Sequence, residues 1–255
     1  MKTSGFFLVT VCVLLLACAF SGCIGSDDPA NDENNTNNTN NTTYNASTTV
    51  TVSKNGLGIG ADEIIQIVLP ENRAKNYRWE VVPEDGLNIA ESESGNLRED
   101  ENANPVKIFN ITADEEGSYV FTALYKHASR EVLTYTFTQR LDYTVPTGNT
   151  SADPNLVLTI EGIPTPKAGG IVEIKTRGNP TTGYTWAAQM SENGMLRLLD
   201  SKYVEDEHEE GMTGVGGTYV WYVTSDVAGT YLFDAAEFSP SGNMTGKFYF
   251  DITFI

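Results

Sequence analysis

The sequence predicts an all-β protein built from two tandem immunoglobulin-like β-sandwiches, and three observations carry that prediction. Apolar residues recur at every second position: Phe248, Phe250, Ile252 and Phe254 alternate with Tyr249, Asp251 and Thr253, the pattern of a half-buried strand. No long stretch has apolar residues at the three- and four-residue spacing of a helix, while 23 glycines and short β-branched and aromatic runs favour strands. The third observation is a diverged repeat. Thr112 to Phe121, with Asp114, Gly117 and Tyr119, mirrors Thr224 to Phe233, with Asp226, Gly229 and Tyr231.

A chain of 255 residues with 40% hydrophobic residues can bury two cores. Residues 1–22 read as a signal peptide. Lys2 supplies the positive start, and Phe6 to Phe20 is apolar apart from Thr10. That run is too short for a membrane span, which needs about 20 residues. Small residues before Cys23 resemble the lipobox of lipoproteins, which implies cleavage after Gly22 and a lipid on the Cys23 thiol. The chain is thus expected to be exported and held on the extracellular face of the membrane. Cys12 and Cys18 would leave with the signal, and Cys23 alone forms neither an intrachain disulfide nor a thiolate metal site.

Residues 23–47 are rich in Asn, Thr, Asp and Ser and are expected to be a disordered tether. Asn-x-Thr/Ser sequons at Asn34, Asn37, Asn40, Asn41 and Asn45, with others at Asn110, Asn149 and Asn243, fit a glycosylated stalk and fit chance matches equally. Two folded segments are expected at 48–146 and 155–255, joined by a polar linker at 147–154. Asn72, Tyr77 and Trp79 in the first stand where Asn179, Tyr184 and Trp186 stand in the second. The paired Asp-x-x-Gly-x-Tyr stretches suit a tyrosine corner, in which the phenol ties back to upstream backbone. Trp186 and Trp221 are read as core.

Composition narrows the function. A formal net charge of −18 excludes nucleic acid and argues against basic-patch membrane binding, because neither polyanion would find countercharge. The parts of an enzyme are missing. Cys23 is committed to the anchor, His127 and His208 are the only histidines, and no serine lies in a Gly-x-Ser-x-Gly elbow. Glu205 to Glu210, which includes His208, is a run of like charge with no helix to gather ligands, so it reads as a solvated loop rather than a metal site. No spacing singles out a carboxylate pair for glycoside hydrolysis. Neither an enzyme activity nor a cofactor is expected.

Two loops stand out. Asn179-Pro180-Thr181-Thr182-Gly183-Tyr184 joins two predicted strands; Pro180 fixes its own φ and extends Asn179, and Gly183 permits positive φ and close approach. Thirty residues after Tyr184 comes Gly214-Val215-Gly216-Gly217. In this order and spacing the two motifs resemble the chagasin family of cysteine peptidase inhibitors. That resemblance covers the second segment. It implies an immunoglobulin-like domain that wedges three loops into the cleft of papain-like cysteine peptidases, with Asn179–Tyr184 over the catalytic cysteine and Gly214–Gly217 against one wall. The third loop departs from the family: after Phe238, Ser239, Pro240 and Ser241 stand where the family has Arg-Pro-Trp. The lost aromatic and cation are contacts worth about 2 kcal/mol or more each when buried, unless Phe238 takes over part of their role. The alternative is a surface-anchored structural or adhesion module in which inhibition has lapsed. The first segment lacks both motifs, so deleting residues 48–146 is expected to leave inhibition intact.

Overall fold

The computed structural model describes residues 43–54, 58–72, 75–92, 105–148, 151–190 and 194–255; the signal segment, Cys23 and most of the tether lie outside the described residues. Apart from short 3-10 turns, the regular structure among them is strand. The first segment supplies β1 (Thr48–Lys54), β2 (Ile65–Pro70), β3 (Tyr77–Val82), β4 (Leu87–Ser92), β5 (Val106–Ala113), β6 (Gly117–His127) and β7 (Val132–Tyr143). The second supplies β8 (Leu156–Gly162), β9 (Ile171–Gly178), β10 (Thr185–Met190), β11 (Arg197–Glu205), β12 (Gly217–Thr224), β13 (Gly229–Phe238) and β14 (Met244–Phe254).

Each segment contributes two layers, and the two segments share one of them. An eight-stranded sheet runs β11-β12-β9-β1-β8-β2-β5-β4, and two three-stranded sheets, β10-β13-β14 and β3-β6-β7, complete the layers. Aromatic contacts cross between layers: Phe109 meets Phe121 at 5.1 Å between centroids, and Trp221 meets Phe233 at 5.8 Å. The alternating residues of β14 behave as predicted, with Phe248, Phe250, Ile252 and Phe254 all buried. Trp221 is likewise core. Both tyrosine corners are present: the Tyr119 hydroxyl donates to the Glu115 carbonyl at 3.1 Å, and Tyr231 donates to Val227 at 2.9 Å.

The centre of the large sheet is interleaved. β1 lies between β9, with which it is parallel, and β8, with which it is antiparallel. β8 in turn is parallel to β2. Each segment's first strand therefore sits between the first and second strands of the other segment, a reciprocal arrangement about the Thr51–Thr159 pair. The alternation that makes this possible is plain in β1, where Thr48, Val50 and Val52 are buried on one side. These positions face the common core from a strand with neighbours on both edges, so every ladder bond of β1 is made to the second segment.

Where the smaller sheets meet, side chains replace a ladder. Gln139 interrupts the apolar alternation of β7, and the structure explains why. It is 2% exposed, and its Oε1 accepts from the backbone N–H of Asp251 at 3.1 Å. Asp251 Oδ2 reciprocates by accepting from the Arg140 N–H at 3.2 Å. Tyr249 adds a third link, donating to Asp142 Oδ2 at 2.7 Å.

Strand directions set up two poles. β9 ends, β10 begins, β12 begins and β13 ends at one pole, which gathers the loops of the second segment. β2 ends and β3 begins at the other, beside the end of β8. The chain enters β1 at that second pole, where Ser47 N–H donates to the Ile171 carbonyl at 3.0 Å.

Candidate functional site

Asn179 organises the first loop. Its backbone is extended, with φ −142°, as the following proline requires, and its side-chain oxygen accepts from the Thr181 N–H. The same oxygen accepts from the Thr181 hydroxyl at 2.5 Å, and the Thr182 hydroxyl donates to the Asn179 carbonyl at 2.6 Å. Pro180–Thr182 form a single 3-10 turn, closed by the Gly183 N–H on the Pro180 carbonyl. Gly183 then takes φ +85°, a left-handed conformation open to glycine at little cost. Tyr184 follows with 38% of its surface exposed.

The other two loops are tied to this one. Asn179 Nδ2 donates to the Gly214 carbonyl at 2.9 Å, so one asparagine caps its own turn and holds the neighbouring loop. Pro240 of the third loop lies against Gly183, and a Cβ built on Gly183 would stand 2.6 Å from Pro240 Cγ. The third loop is itself a closed turn: Gly242 N–H donates to the Ser239 carbonyl at 2.8 Å, and Ser239 N–H donates to Asn243 at 2.8 Å. Phe238, half-buried, pairs with Thr185 at the start of β10 and so flanks Tyr184.

In the Gly214–Gly217 stretch the glycines have different reasons. Gly214 needs its φ of +80°, whereas Gly217 is packed so closely that a Cβ would lie 2.6 Å from the Tyr203 ring. Val215 and Gly216 are half-buried between them, and the Gly216 carbonyl accepts from the Asp206 N–H at 3.0 Å. All the loop residues singled out from sequence thus gather at one pole.

Sequence reading missed one brace of that pole. Arg177, two residues before Asn179, forms a fork with Asp206: Nη1 to Oδ1 at 2.7 Å and Nη2 to Oδ2 at 2.5 Å. The paired guanidinium holds the Asp206 carboxyl below its usual range, and the carboxylate in turn raises the Arg177 guanidinium. One end of the acidic stretch Glu205–Glu210 is thereby pinned to β9. Nothing in the sequence indicates which of those six acidic-loop positions meets Arg177, because that depends on the β9–β12–β11 register. The bridging role of Asn179 was hidden for the same reason. Among the described residues, no three His, Cys, Asp or Glu side chains are grouped to hold a metal ion.

The arrangement at this pole is one of turns closed by short polar side chains. It offers a narrow, mostly uncharged ridge of three braced turns, suited to filling a cleft by shape. Trp186, expected in the core, is only partly buried and packs on Phe248 at 5.1 Å.

Residues 165–254 match the profile of the chagasin family peptidase inhibitor I42. Over 76 residues the chain is 32% identical to chagasin of Trypanosoma cruzi, a stretch covering 28% of this chain and 67% of chagasin. It is 40% identical over 57 residues to amoebiasin-1 of Entamoeba histolytica, covering 22% of this chain and about half, 53%, of that protein. Among solved structures, the cysteine protease inhibitor EhICP2 of Entamoeba histolytica aligns over 33% of this chain and 78% of its own, at 19% identity and a TM-score of 0.29.

Proposed function

The chain belongs to the chagasin family of peptidase inhibitors, and from that premise we propose that it inhibits papain-like cysteine peptidases by occupying their active-site cleft without a covalent bond. The convergence of the three loops, with Asn179 bridging to Gly214 and Pro240 seated on Gly183, carries the reading. An inhibitor of this kind gains affinity by ordering little on binding. Here each loop is already closed on itself or on its neighbour.

In this mechanism Asn179–Tyr184 sits over the catalytic cysteine, Gly214–Gly217 meets one wall, and Phe238, Ser239 and Pro240 meet the other. A peptidase cleaves chain that it can hold extended. Pro180–Thr182 instead forms a turn whose Asn179 and Pro180 carbonyls accept from Thr182 and Gly183. That geometry supports resistance to cleavage.

The anchor forms part of the same proposal. With Cys23 lipidated and the chain exported, the tether would join β1 at the pole opposite the loops. A titration of papain with residues 43–255 tests the central claim: competitive inhibition is expected. Its absence at micromolar inhibitor would sink the claim and favour the lapsed surface module, the reading that the Ser239-Pro240-Ser241 substitution of the third loop supports.

A further inference from the structure

We propose that the pole opposite the inhibitory loops carries a binding site for a neutral saccharide. A cavity of about 350 Å3 opens there, walled by Pro70, Glu71, Asn72, Tyr125, Tyr135 and Ile163 among others. That volume falls in the range of small-ligand sites, roughly 300–1,000 Å3. Its aromatic wall is Tyr125 and Tyr135, stacked at 6.0 Å, and Tyr125 is backed by Tyr77 at 5.3 Å and Trp79 at 4.7 Å.

The internal repeat shows that the fold does not require these tyrosines. Tyr125 and Tyr135 are directly opposed on β6 and β7. Counted from the two tyrosine corners, the corresponding pair on β13 and β14 is Glu237 and Gly246. A glutamate and a glycine build the same corner in the second segment, so the two rings of the first are free to serve something else. Tyr125 is also held in place, its hydroxyl accepting from the Asn72 N–H at 2.8 Å.

Polar chemistry adds to the apolar plates. Glu71 is 4% exposed, and its Oε1 accepts from the Trp79 N–H at 3.4 Å, which fixes a carboxylate in the cavity wall. Asn72 also lines the cavity, its side-chain oxygen accepting from the Lys75 N–H at 3.1 Å. Aromatic and proline faces suit the C–H face of a pyranose ring, and a carboxylate with an amide suits its hydroxyls. The charge of −18 and the buried Glu71 set the site against acidic sugars.

The test is saturation-transfer NMR on residues 43–255 with millimolar cellobiose, maltose, mannobiose and chitobiose, and with a hexuronate disaccharide for comparison. Transfer to at least one neutral disaccharide is expected, weakened about tenfold by Tyr135→Gly and retained by Tyr135→Phe. If Tyr135→Gly fails to fold by circular dichroism, Ile163→Arg, at the exposed mouth, carries the same expectation. Transfer to none of the neutral sugars, to the hexuronate alone, or equally to the wild type and the folded cavity variants, overturns the proposal.

Discussion

Replacing Val52 by alanine should destabilise both segments at once. Val52 is 1% exposed at the centre of β1, opposite Leu158 of β8 and Thr176 of β9. Its carbonyl also accepts from the Thr176 hydroxyl at 3.0 Å. Val52→Ala removes two buried carbon groups, about 0.8 kcal/mol each by transfer. With the cavity left behind the loss should reach about 2–3 kcal/mol, a large share of a typical stability of roughly 5–15 kcal/mol. At a urea dependence of about 2 kcal/mol per molar, the midpoint should fall by roughly 1 M. Fluorine NMR of a fluorotryptophan-labelled chain reads the segments separately, since Trp79 lies in the first, and Trp186 and Trp221 lie in the second. All three signals should lose their native form together, at the same lowered midpoint. Should Trp79 keep its original midpoint while the others shift, the segments unfold independently and the reasoning fails. The same logic reverses the expectation that residues 48–146 are dispensable. A chain starting at Asn155 lacks β1, so it should show reduced stability and weakened inhibition.

Gly183→Glu should raise the inhibition constant against papain at least about tenfold and lower the urea midpoint by about 0.5–1 M. The added side chain would meet Pro240 at a backbone φ that itself costs about 1–2 kcal/mol for an L-residue; an unchanged constant would remove Gly183 from the interface. Asn179→Ala breaks both the turn cap and the bridge to Gly214, so the complex should dissociate about tenfold faster, as read by surface plasmon resonance. Burial pushes the Lys54 ammonium down to about 8 against the raising influence of Glu63. The folded chain therefore releases this proton near pH 8 and the unfolded chain only near pH 10.4, so Lys54 adds stability as pH rises between those values. Lys54→Met should be the more stable protein at pH 7, and its advantage in urea midpoint should narrow by pH 9.5. A constant difference would contradict the assignment.

Much of this architecture is legible in the sequence because its signals are local. The alternation from Phe248 to Phe254 and the two Asp-x-x-Gly-x-Tyr corners each fit within about ten residues, and each appears in the structure as read. The strand interleaving is not local. β1 and β8 have the same alternating character, so either would satisfy the edge of β9 by pattern alone, and only the register distinguishes them. The break that Gln139 makes in the alternation of β7 has no local explanation, because its partner, Asp251, is 112 residues away. The loop motif was visible as a stiff turn through Pro180 and Gly183. Its dependence on Asn179, Pro240 and the Arg177–Asp206 fork rests on contacts across loops, which spacing along the chain does not encode.

The parallel pairing of β1 with β9 has a mechanical meaning. The chain enters β1 at one pole, and β9 leads directly into Asn179 at the other. Tension between the segment before Thr48 and a partner gripping the loops would therefore slide β1 past β9 along their common axis. A ladder loaded in that direction shares the force among its hydrogen bonds instead of breaking them one at a time from an end. The strand contributed by the first segment would thus act as a tie-rod, letting the inhibitory pole bear load while remaining fastened to its support.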